Sequence, residues 1–157
     1  MSSPAVVRIR LMKAGDLERV LEIAAGLEPA PRWAASAYLV AIDVEHRPRR
    51  ISLVAADLES DAPLGFLVAS LVPSEAELET IAVVVEGQRR VVGARLLGAL
   101  LEALRTERVT ELVLDVRASN RAALGFYGAL GFRETGRRTR YYADPEDDAV
   151  LMGLKLG

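Results

Sequence analysis

The segment that decides the fold is EGQRRVVGARLLGALL, residues 86–101. It follows an apolar run that ends at Val85, and it opens with a short polar turn that carries two arginines. Apolar residues then recur every three or four positions, which indicates one face of an α-helix; they are Val92, Leu96, Leu97, Leu100, Leu101 and Leu104. The order is strand, tight turn, helix. Because the first N–H groups of a helix lack internal partners and the macrodipole is positive there, such a turn suits a phosphate or pyrophosphate.

The turn lacks two common phosphate-binding motifs. There is no G-x-x-x-x-G-K-[ST] sequence, and the glycines do not fall as G-x-G-x-x-G. The turn resembles the pyrophosphate loop of the GCN5-related N-acetyltransferases (GNAT), [QR]-x-x-G-x-[GA]. Gln88 and Gly93 match its two ends, whereas Val91 stands where the middle glycine is expected. An ordinary strand-to-helix turn with solvated arginines is the alternative.

Composition excludes several classes of protein. With 157 residues, 51% of them apolar and 27% charged, the chain fits one folded domain over residues 1–157. Its 20 basic and 22 acidic side chains give no reason to expect nucleic acid as a partner. The absence of cysteine excludes disulfides, zinc–cysteine sites and a thiol nucleophile. The one histidine, His46, lies in a polar run, which argues against a histidine-based metal site or triad.

No membrane or export signal stands out in the chain. The N-terminus lacks an apolar signal region, and no stretch of 18 apolar residues exists. We therefore expect a cytoplasmic protein that does not engage a membrane.

The hydrophobic pattern predicts seven strands and four helices. The strands cover residues 5–11, 51–56, 64–71, 77–85, 109–117, 132–135 and 150–156, with a long loop between the last two. The helices cover residues 16–25, 33–44, 92–104 and 120–130, the last closed by Gly131. Antiparallel hairpins followed by a β-α-β-α-β half indicate an α/β (α+β) fold with a central, mostly antiparallel sheet of six to seven strands. Strands 77–85 and 109–117 should be parallel, and a gap at their C-terminal ends would suit a ligand.

Three segments together carry a more specific resemblance. They read ELETIAVVVEGQRRVVG at 77–93, LDVRASNRAALGFYGALG at 114–131 and RRTRYYADPEDDAVLM at 137–152. They are similar to the bacterial N-terminal alanine acetyltransferases that modify a ribosomal protein, which have L-E-V-R-x-S-N, A-x-x-x-Y-x-x-L-G-F, R-x-Y-Y and E-D-A-x-x-M. The resemblance covers residues 78–156, and also Trp33, where the family has Pro-Trp and this chain has Arg32 between Pro31 and Trp33. It implies the GNAT fold, a twisted sheet with a splayed parallel pair at the acetyl-CoA site.

The resemblance also implies roles for particular residues. Acetyl-CoA contacts would come from the backbone of Ile81, Ala82 and Val83, from the turn Gln88, Arg89, Arg90, Val91, Val92, Gly93 and Ala94, and from Asn120. Tyr127 falls on the family's general acid. Asp115 falls on the general base, which is usually a glutamate. Trp33 and Tyr142 would line the acceptor site.

Each of these residues has a structural alternative. Tyr127 lies on the apolar stripe of its helix and could be a core aromatic. Asp115 could be a solvated carboxylate paired with Arg117, and Asn120 could cap its helix together with Ser119. Trp33 could simply be buried.

The chemistry of the proton donor does not need a metal. A model thiol has a pKa of about 8.5 and tyrosine about 10, so a tyrosine hydroxyl can donate to a departing thiolate. For the base, Glu77 competes with Asp115, and Glu79 points to the same face two residues on. We expect a negative φ at Val91, because a valine there is tolerated only in an ordinary helical conformation.

These inferences predict an enzyme that transfers the acetyl group of acetyl-CoA to the N-terminal α-amino group of a protein, such as a ribosomal protein, without a metal. Direct attack is favoured because no cysteine exists. The acids of residues 137–152 would attract the acceptor ammonium, unless that segment is a plain solvated loop. Acetylation of a small amine or a lysine side chain is the alternative reaction, and a non-catalytic acyl-CoA-binding module is the alternative class. We expect a monomer or a homodimer.

Overall fold

The computed structural model describes residues 7–26, 33–72, 74–84 and 89–157, with the backbone alone for Arg89 and Arg90. Within these ranges the elements follow in this order: β1 (Val7–Leu11), a short 3-10 helix (Ala14–Asp16), α1 (Leu17–Ala25), α2 (Ala35–Ile42), β2 (Arg49–Asp57), β3 (Pro63–Val72), β4 (Glu75–Val83), α3 (Arg89–Thr106), β5 (Glu111–Arg117), α4 (Arg121–Ala129), β6 (Arg133–Tyr142) and β7 (Asp147–Lys155). No helix in the described ranges is long and apolar enough to cross a membrane.

The strands form one mixed sheet, which confirms the predicted fold class. Their order is β1-β2-β3-β4-β5-β7-β6, and β4 with β5 is the one parallel pair among the described strands, as predicted. Helix α2 is shorter than the predicted span 33–44, because the chain is extended at Ala34 and Asp43 on either side of it. The predicted residues 5–6 of the first strand and the proline-broken joint at 28–32 lie outside the described residues.

Two cores cover the two faces of the sheet. On one face, here called the α3/α4 face, the buried helix residues are Val92, Leu96, Leu97, Leu100, Leu104 and Tyr127. On the other, the α1/α2 face, they are Val20, Ile23, Tyr38 and Ala41. The helices therefore sandwich the sheet, and any site between β4 and β5 is bordered by helices of both layers.

The parallel pair is short because β4 bends away from β5. The two strands share three residue pairs, the last of which joins Glu77 to Val113. The next β4 residues shift register against β3, where Leu78 pairs with Ala69 and Thr80 pairs with Val68, so Glu79 is an extra, bulged residue. A β-bulge bends and twists its strand. The bulge at Glu79 therefore opens a gap between β4 and β5 where the pairing stops.

The prediction of a long loop between the last two strands is wrong. Strand β6 extends to Tyr142 and β7 begins at Asp147, so residues 143–146 form the tight end of a hairpin. The pairing jumps from Arg138 opposite Ala149 to Tyr142 opposite Asp147, which inserts two extra residues into β6. The segment predicted to be an acidic loop is therefore an ordered, bulged edge hairpin.

Helix α4 has the termini that its sequence predicts. The Asn120 side chain accepts a hydrogen bond from the backbone N–H of Ala123 at 3.1 Å and caps the helix. Gly131 follows the helix with a φ of +100°, a conformation that glycine adopts without strain. Ser119 does not join the cap, because its hydroxyl donates to Asp147 Oδ2 at 2.6 Å.

A nearly buried ion pair ties β1 to the start of α1. Arg10 Nη1 and Nη2 donate to the two carboxylate oxygens of Asp16 at 2.8 and 2.9 Å. Their side chains are 15% and 7% exposed. The Asp16 carboxylate also accepts the backbone N–H of Lys13 at 2.8 Å. The Arg10 hydrogen bonds, above all, lower the pKa of Asp16.

We expect Arg10→Met to lower the free energy of unfolding by about 3 kcal/mol, because it leaves Asp16 charged and largely desolvated. Urea denaturation at pH 7 measures the change. Arg19→Met is the control: its partner Glu22 lies three residues away in an exposed pair, and the cost should be below about 0.5 kcal/mol. Equal effects of the two substitutions would contradict the prediction.

The Arg10–Asp16 pair also makes the stability of the fold depend on pH. The pKa of Asp16 is lower in the folded than in the unfolded state. The contribution of the pair to the free energy of unfolding is therefore complete above the unfolded pKa of about 3.9, and it is lost as pH falls through the folded pKa. The stability gap between wild type and Arg10→Met should therefore narrow below about pH 4.

Candidate active site

The edge of β4 that faces the gap carries backbone groups without strand partners in the described residues. Val84 N–H donates to the Leu64 carbonyl of β3 at 2.9 Å. Because backbone groups point to opposite sides at successive residues, Ala82 also points its N–H and C=O towards β3, whereas Ile81 and Val83 point theirs into the gap. An extended ligand that contains amides can therefore pair with Ile81 and Val83.

Helix α3 begins beside the predicted phosphate turn. Gln88 lies outside the described residues, as do the side chains of Arg89 and Arg90. Val91 lies in the first turn of α3 with its side chain 46% exposed, and it is not among the described residues with positive φ, which confirms the expected conformation. The first turn of α3 thus offers the backbone N–H groups and positive helix end that an anion prefers.

Gly93 has a packing role that the motif alone does not reveal. Val92 and Gly93 are buried, and Ala94 is half-buried. A Cβ atom added at Gly93 would stand 3.1 Å from Cζ of Phe126 on α4. The glycine therefore lets the phenyl ring of Phe126 approach the start of α3 closely.

Tyr127 is a buried aromatic residue on α4. Its ring packs edge-on against Phe126 and Phe132, with centroid distances of 5.3 and 5.5 Å. The hydroxyl donates no hydrogen bond to any described residue. Burial raises the pKa of Tyr127 to about 12. The phenol therefore stays protonated throughout the neutral and moderately alkaline range.

Asp115 lies on the α1/α2 face of the sheet, opposite to Tyr127. In β5, half-buried residues alternate with the buried Leu112, Leu114 and Val116, as predicted. Glu77 points to the same face as Asp115. Partial desolvation, followed by the negative charge of Asp115, raises the pKa of Glu77, which indicates that the two carboxylates lie close enough to interact. A cation bound beside them would be stabilised.

Tyr142 lies close enough to Asp115 to feel its charge, and the guanidinium of Arg117 packs on the Tyr142 ring. The guanidinium carbon of Arg117 lies 4.4 Å from the centroid of the Tyr142 ring. Arg117 also donates to the carbonyls of Pro145 at 2.9 Å and Ala143 at 3.4 Å. Burial, then the charge of Asp115, raises the pKa of Tyr142. Among the described residues Arg117 forms no ion pair with Asp115, and its guanidinium donates to the hairpin instead.

Trp33 partly covers the α1/α2 core. Its ring centroid lies 5.1 Å from that of Tyr38, which in turn meets Phe66 edge-on at 5.7 Å. Trp33 is half-buried, so part of this residue remains accessible to solvent. Its neighbours Pro31 and Arg32 lie outside the described residues.

The sequence did not reveal an ion pair between Arg50 and Glu79. Arg50 Nε donates to Glu79 Oε1 and Oε2 at 3.3 and 3.2 Å, and both side chains are less than 20% exposed. The two residues are 29 positions apart, and Glu79 is the bulged residue of β4. The sequence signal for this ion pair was the clustering of three glutamates on one strand, Glu75, Glu77 and Glu79.

Tyr127 packs on the α3/α4 face of the sheet, whereas Asp115 and Glu77 point to the α1/α2 face. The backbone edge of Ile81 and Val83 lines the gap between β4 and β5. This separation suits a reaction in which one reactant enters from each face. Among the described residues, no group of three or more His, Cys, Asp or Glu side chains could hold a metal ion.

Comparison with known proteins gives consistent results. The model of the acetyltransferase (GNAT) family matches residues 17–132. The chain is similar to the [ribosomal protein bS18]-alanine N-acetyltransferase of Salmonella typhimurium, with 42% identity over 98 residues, which cover 61% of this chain and 66% of that protein. The match thus spans just under two thirds of that relative's length.

Two further similarities extend over nearly the whole chain. A putative [ribosomal protein bS18]-alanine N-acetyltransferase of Bacillus subtilis is 30% identical over 149 residues, which cover 94% of this chain and 95% of that protein. The crystal structure of the ribosomal-protein-S18-alanine N-acetyltransferase from Escherichia coli superimposes with a TM-score of 0.81 at 29% identity, covering 97% of this chain and 95% of that one.

Proposed function

The chain belongs to the acetyltransferase (GNAT) family, and we propose that it transfers the acetyl group of acetyl-CoA to the N-terminal α-amino group of a protein by direct attack of the amine. The observation that carries the proposal is the gap between β4 and β5, with Tyr127 on one face of the sheet and Asp115 on the other. The names of the Salmonella and Bacillus relatives support an alanine N-terminus of a ribosomal protein as the first acceptor to test. Such a reaction would take place in the cytoplasm.

The residues present fit acetyl-CoA. An extended arm with amide groups matches the free backbone groups of Ile81 and Val83, and a pyrophosphate matches the N–H groups at the start of α3, from Val91 to Ala94. The Asn120 carboxamide oxygen caps α4, which leaves its exposed NH2 group free to donate to the ligand. Acetyl-CoA supplies the acetyl group as an activated thioester.

Asp115 and Tyr127 would handle the two protons of the reaction. The acceptor ammonium must lose a proton before it attacks, and Asp115 on the α1/α2 face would accept it. Because an aspartate is about 1.5 Å shorter than a glutamate, a bridging water would carry the proton. Tyr127, on the α3/α4 face, would donate its hydroxyl proton towards the departing sulfur.

The acceptor would enter from the α1/α2 face. Asp115 and Glu77 give this entrance a negative charge that attracts an ammonium group. Tyr142, fixed by Arg117, and the exposed part of Trp33 would flank the first residues of the acceptor. A peptide N-terminus meets these requirements because it is a cation with a short, flexible chain behind it.

Binding of the cofactor is expected to stabilise the fold. Millimolar CoA or acetyl-CoA should raise the melting temperature without added metal, because a ligand that binds the native state alone shifts the unfolding equilibrium. Pantetheine, which lacks the nucleotide and pyrophosphate, should do far less. Differential scanning fluorimetry measures the shift, and loss of CoA binding in the presence of a chelator would contradict the assignment.

Acceptor preference is expected to separate the possible reactions. A peptide with a free N-terminal alanine should be acetylated faster than the same peptide with a blocked N-terminus and one lysine. Polyamines should react slowly. Mass spectrometry locates the added acetyl group, and faster acetylation of lysine than of the α-amine would overturn the proposed acceptor class.

A further inference from the structure

The Arg50–Glu79 ion pair lies at the point where the sheet splits. Glu79 is the bulged residue that follows the last pair between β4 and β5. Arg50 approaches it from β2, across β3, where Ser70 pairs with Arg50 on one side and with Glu77 on the other. The side chains of Arg50 and Glu79 are only 19% and 17% exposed, so their interaction is weakly screened. The pair is thus built into the acceptor side of the gap.

The surrounding charges are mostly negative. The groups that act on the Glu77 carboxylate are Asp115 on β5, Glu79 and Glu75 on β4, and Arg138 on β6. Around the neighbouring Tyr142, the charged groups are Asp115, Arg117 and Asp147. Arg138 is exposed and Arg117 is engaged by the hairpin, so Arg50 is the nearly buried cation that β2 contributes. It pairs with one carboxylate, that of Glu79, and offsets part of its charge.

We propose that Arg50 is a positioning residue for acetyl transfer: by holding Glu79 at the β4 bulge and offsetting part of its charge, it lets Glu77 and Asp115 receive the acceptor ammonium as ionised carboxylates. The inference rests on the proposed function, since it assigns Asp115 and Glu77 to the acceptor side. Without Arg50, the charge of Glu79 would add to theirs and Glu77 would become harder to ionise. Without Glu79, the free charge of Arg50 would repel the ammonium.

Stability alone is a poor explanation of the pair. Ion pairs this far from solvent lose much of their attraction to desolvation, and apolar replacements are often equally stable. Arg50 Nη1 is also buried without a hydrogen-bond partner in the described residues, which costs free energy. An arginine in this position is therefore better explained by its charge than by its packing.

The test uses three variants with opposite charge effects: Arg50→Gln, Glu79→Gln and the double variant. Two quantities are measured in each, the pH at which kcat/KM for an N-terminal peptide is half-maximal and the titration midpoint of the 13C-labelled Glu77 carboxyl by NMR. Arg49→Gln is the matched control, because Arg49 is the adjacent residue and its more exposed ion pair is with Glu107.

The expected shifts have opposite signs. In Arg50→Gln the uncancelled charge of Glu79 should move both midpoints up by about half a pH unit. In Glu79→Gln the uncancelled charge of Arg50 should move them down by a similar amount and raise KM for the peptide. The double variant should return close to wild type, and Arg50→Lys should restore most of the wild-type midpoint. Arg49→Gln should leave both midpoints unchanged.

Other outcomes overturn the inference. If both single variants shift the midpoints in the same direction, or shift neither midpoint, the pair has only a structural role. The same conclusion follows if the Glu77 titration midpoint shifts while the midpoint of kcat/KM does not. If the wild-type protein acetylates no amine, the proposed function fails and the positioning role falls with it. The titration arm then still shows whether Arg50 and Glu79 set the ionisation of Glu77, which keeps the two failures apart.

Discussion

Replacing Tyr127 by phenylalanine is expected to lower kcat by about 10²–10⁴-fold with little change in acetyl-CoA affinity. The ring packs between Phe126 and Phe132, and phenylalanine keeps those contacts. The substitution removes only a hydroxyl that donates to no described residue. The loss would therefore come from the missing proton donor and not from a damaged core. Steady-state kinetics, together with a separate measurement of CoA binding, distinguishes a missing proton donor from a damaged core.

The pKa of about 12 for Tyr127 refines how this donor works. Against a thiol pKa of about 8.5, complete proton transfer from the phenol to the free thiolate is uphill by roughly 5 kcal/mol. Tyr127 would therefore act by donating a hydrogen bond to the sulfur while the carbon–sulfur bond breaks. The proton that the attacking nitrogen releases as the amide forms would replace the proton that the phenol gives to the sulfur. Because the phenol ionises only near pH 12, kcat should show no alkaline decline due to Tyr127 below about pH 11.

Tyr38→Phe is the matched control for Tyr127→Phe. Tyr38 is fully buried, whereas Tyr127 is 7% exposed, and the Tyr38 hydroxyl has no hydrogen-bond partner in the described residues. Removing that hydroxyl should leave kcat unchanged and should maintain or raise the free energy of unfolding. If Tyr127→Phe leaves kcat unchanged as well, Tyr127 is a core aromatic and the proton donor lies elsewhere.

Features that depend on local sequence signals were predictable. The alternation of β5 predicts that Asp115 points away from the buried Leu114 and Val116, and the structure agrees. The cap at Asn120 and the glycine at 131 bound α4 because capping and positive φ are properties of single residues. These signals are sufficient to place Asp115 and Tyr127 on elements that the structure confirms.

Features that depend on strand register were not predictable. Strand β6 lies at the edge of the sheet and is almost entirely exposed, so residues 137–142 lack the apolar alternation that indicates a strand. The bulge at Glu79 appears only when β4 is aligned with β3. The Arg50–Glu79 pair follows from the same alignment, because it joins two strands on either side of β3. The sequence motif likewise assigns Gly93 to the phosphate turn, whereas Phe126 explains why a side chain is excluded there.

The identity of the base determines which amines can react. An α-amine has a pKa of about 7.7–8.0 and a lysine side chain about 10.4. At pH 7, reaching the neutral amine therefore costs roughly 1–1.4 kcal/mol for an N-terminus and about 4.6 kcal/mol for lysine. A short carboxylate that acts through water can overcome the first cost far more readily than the second. Asp115 should therefore serve N-terminal amines.

We expect Asp115→Asn to slow turnover of an N-terminal peptide most strongly below pH 8. Above about pH 9 the acceptor is already neutral, so the variant should largely recover. The substitution also removes the charge that raises the pKa of Glu77, so Glu77 would ionise at lower pH in the variant. Activity of Asp115→Asn that persists below pH 8 would then come from Glu77, and adding Glu77→Gln should abolish it.

The pH profiles of kcat/KM for Asp115→Asn, Asp115→Glu and Glu77→Gln assign the base. Asp115→Glu keeps a carboxylate and should stay within about tenfold of wild type, since the longer side chain can reach the amine without the water. If Asp115→Asn has no effect while Glu77→Gln abolishes turnover, the base lies on β4. The acceptor ammonium would then be received at Glu77, beside the bulge at Glu79, and acetylation of lysine side chains would become the better description of the reaction.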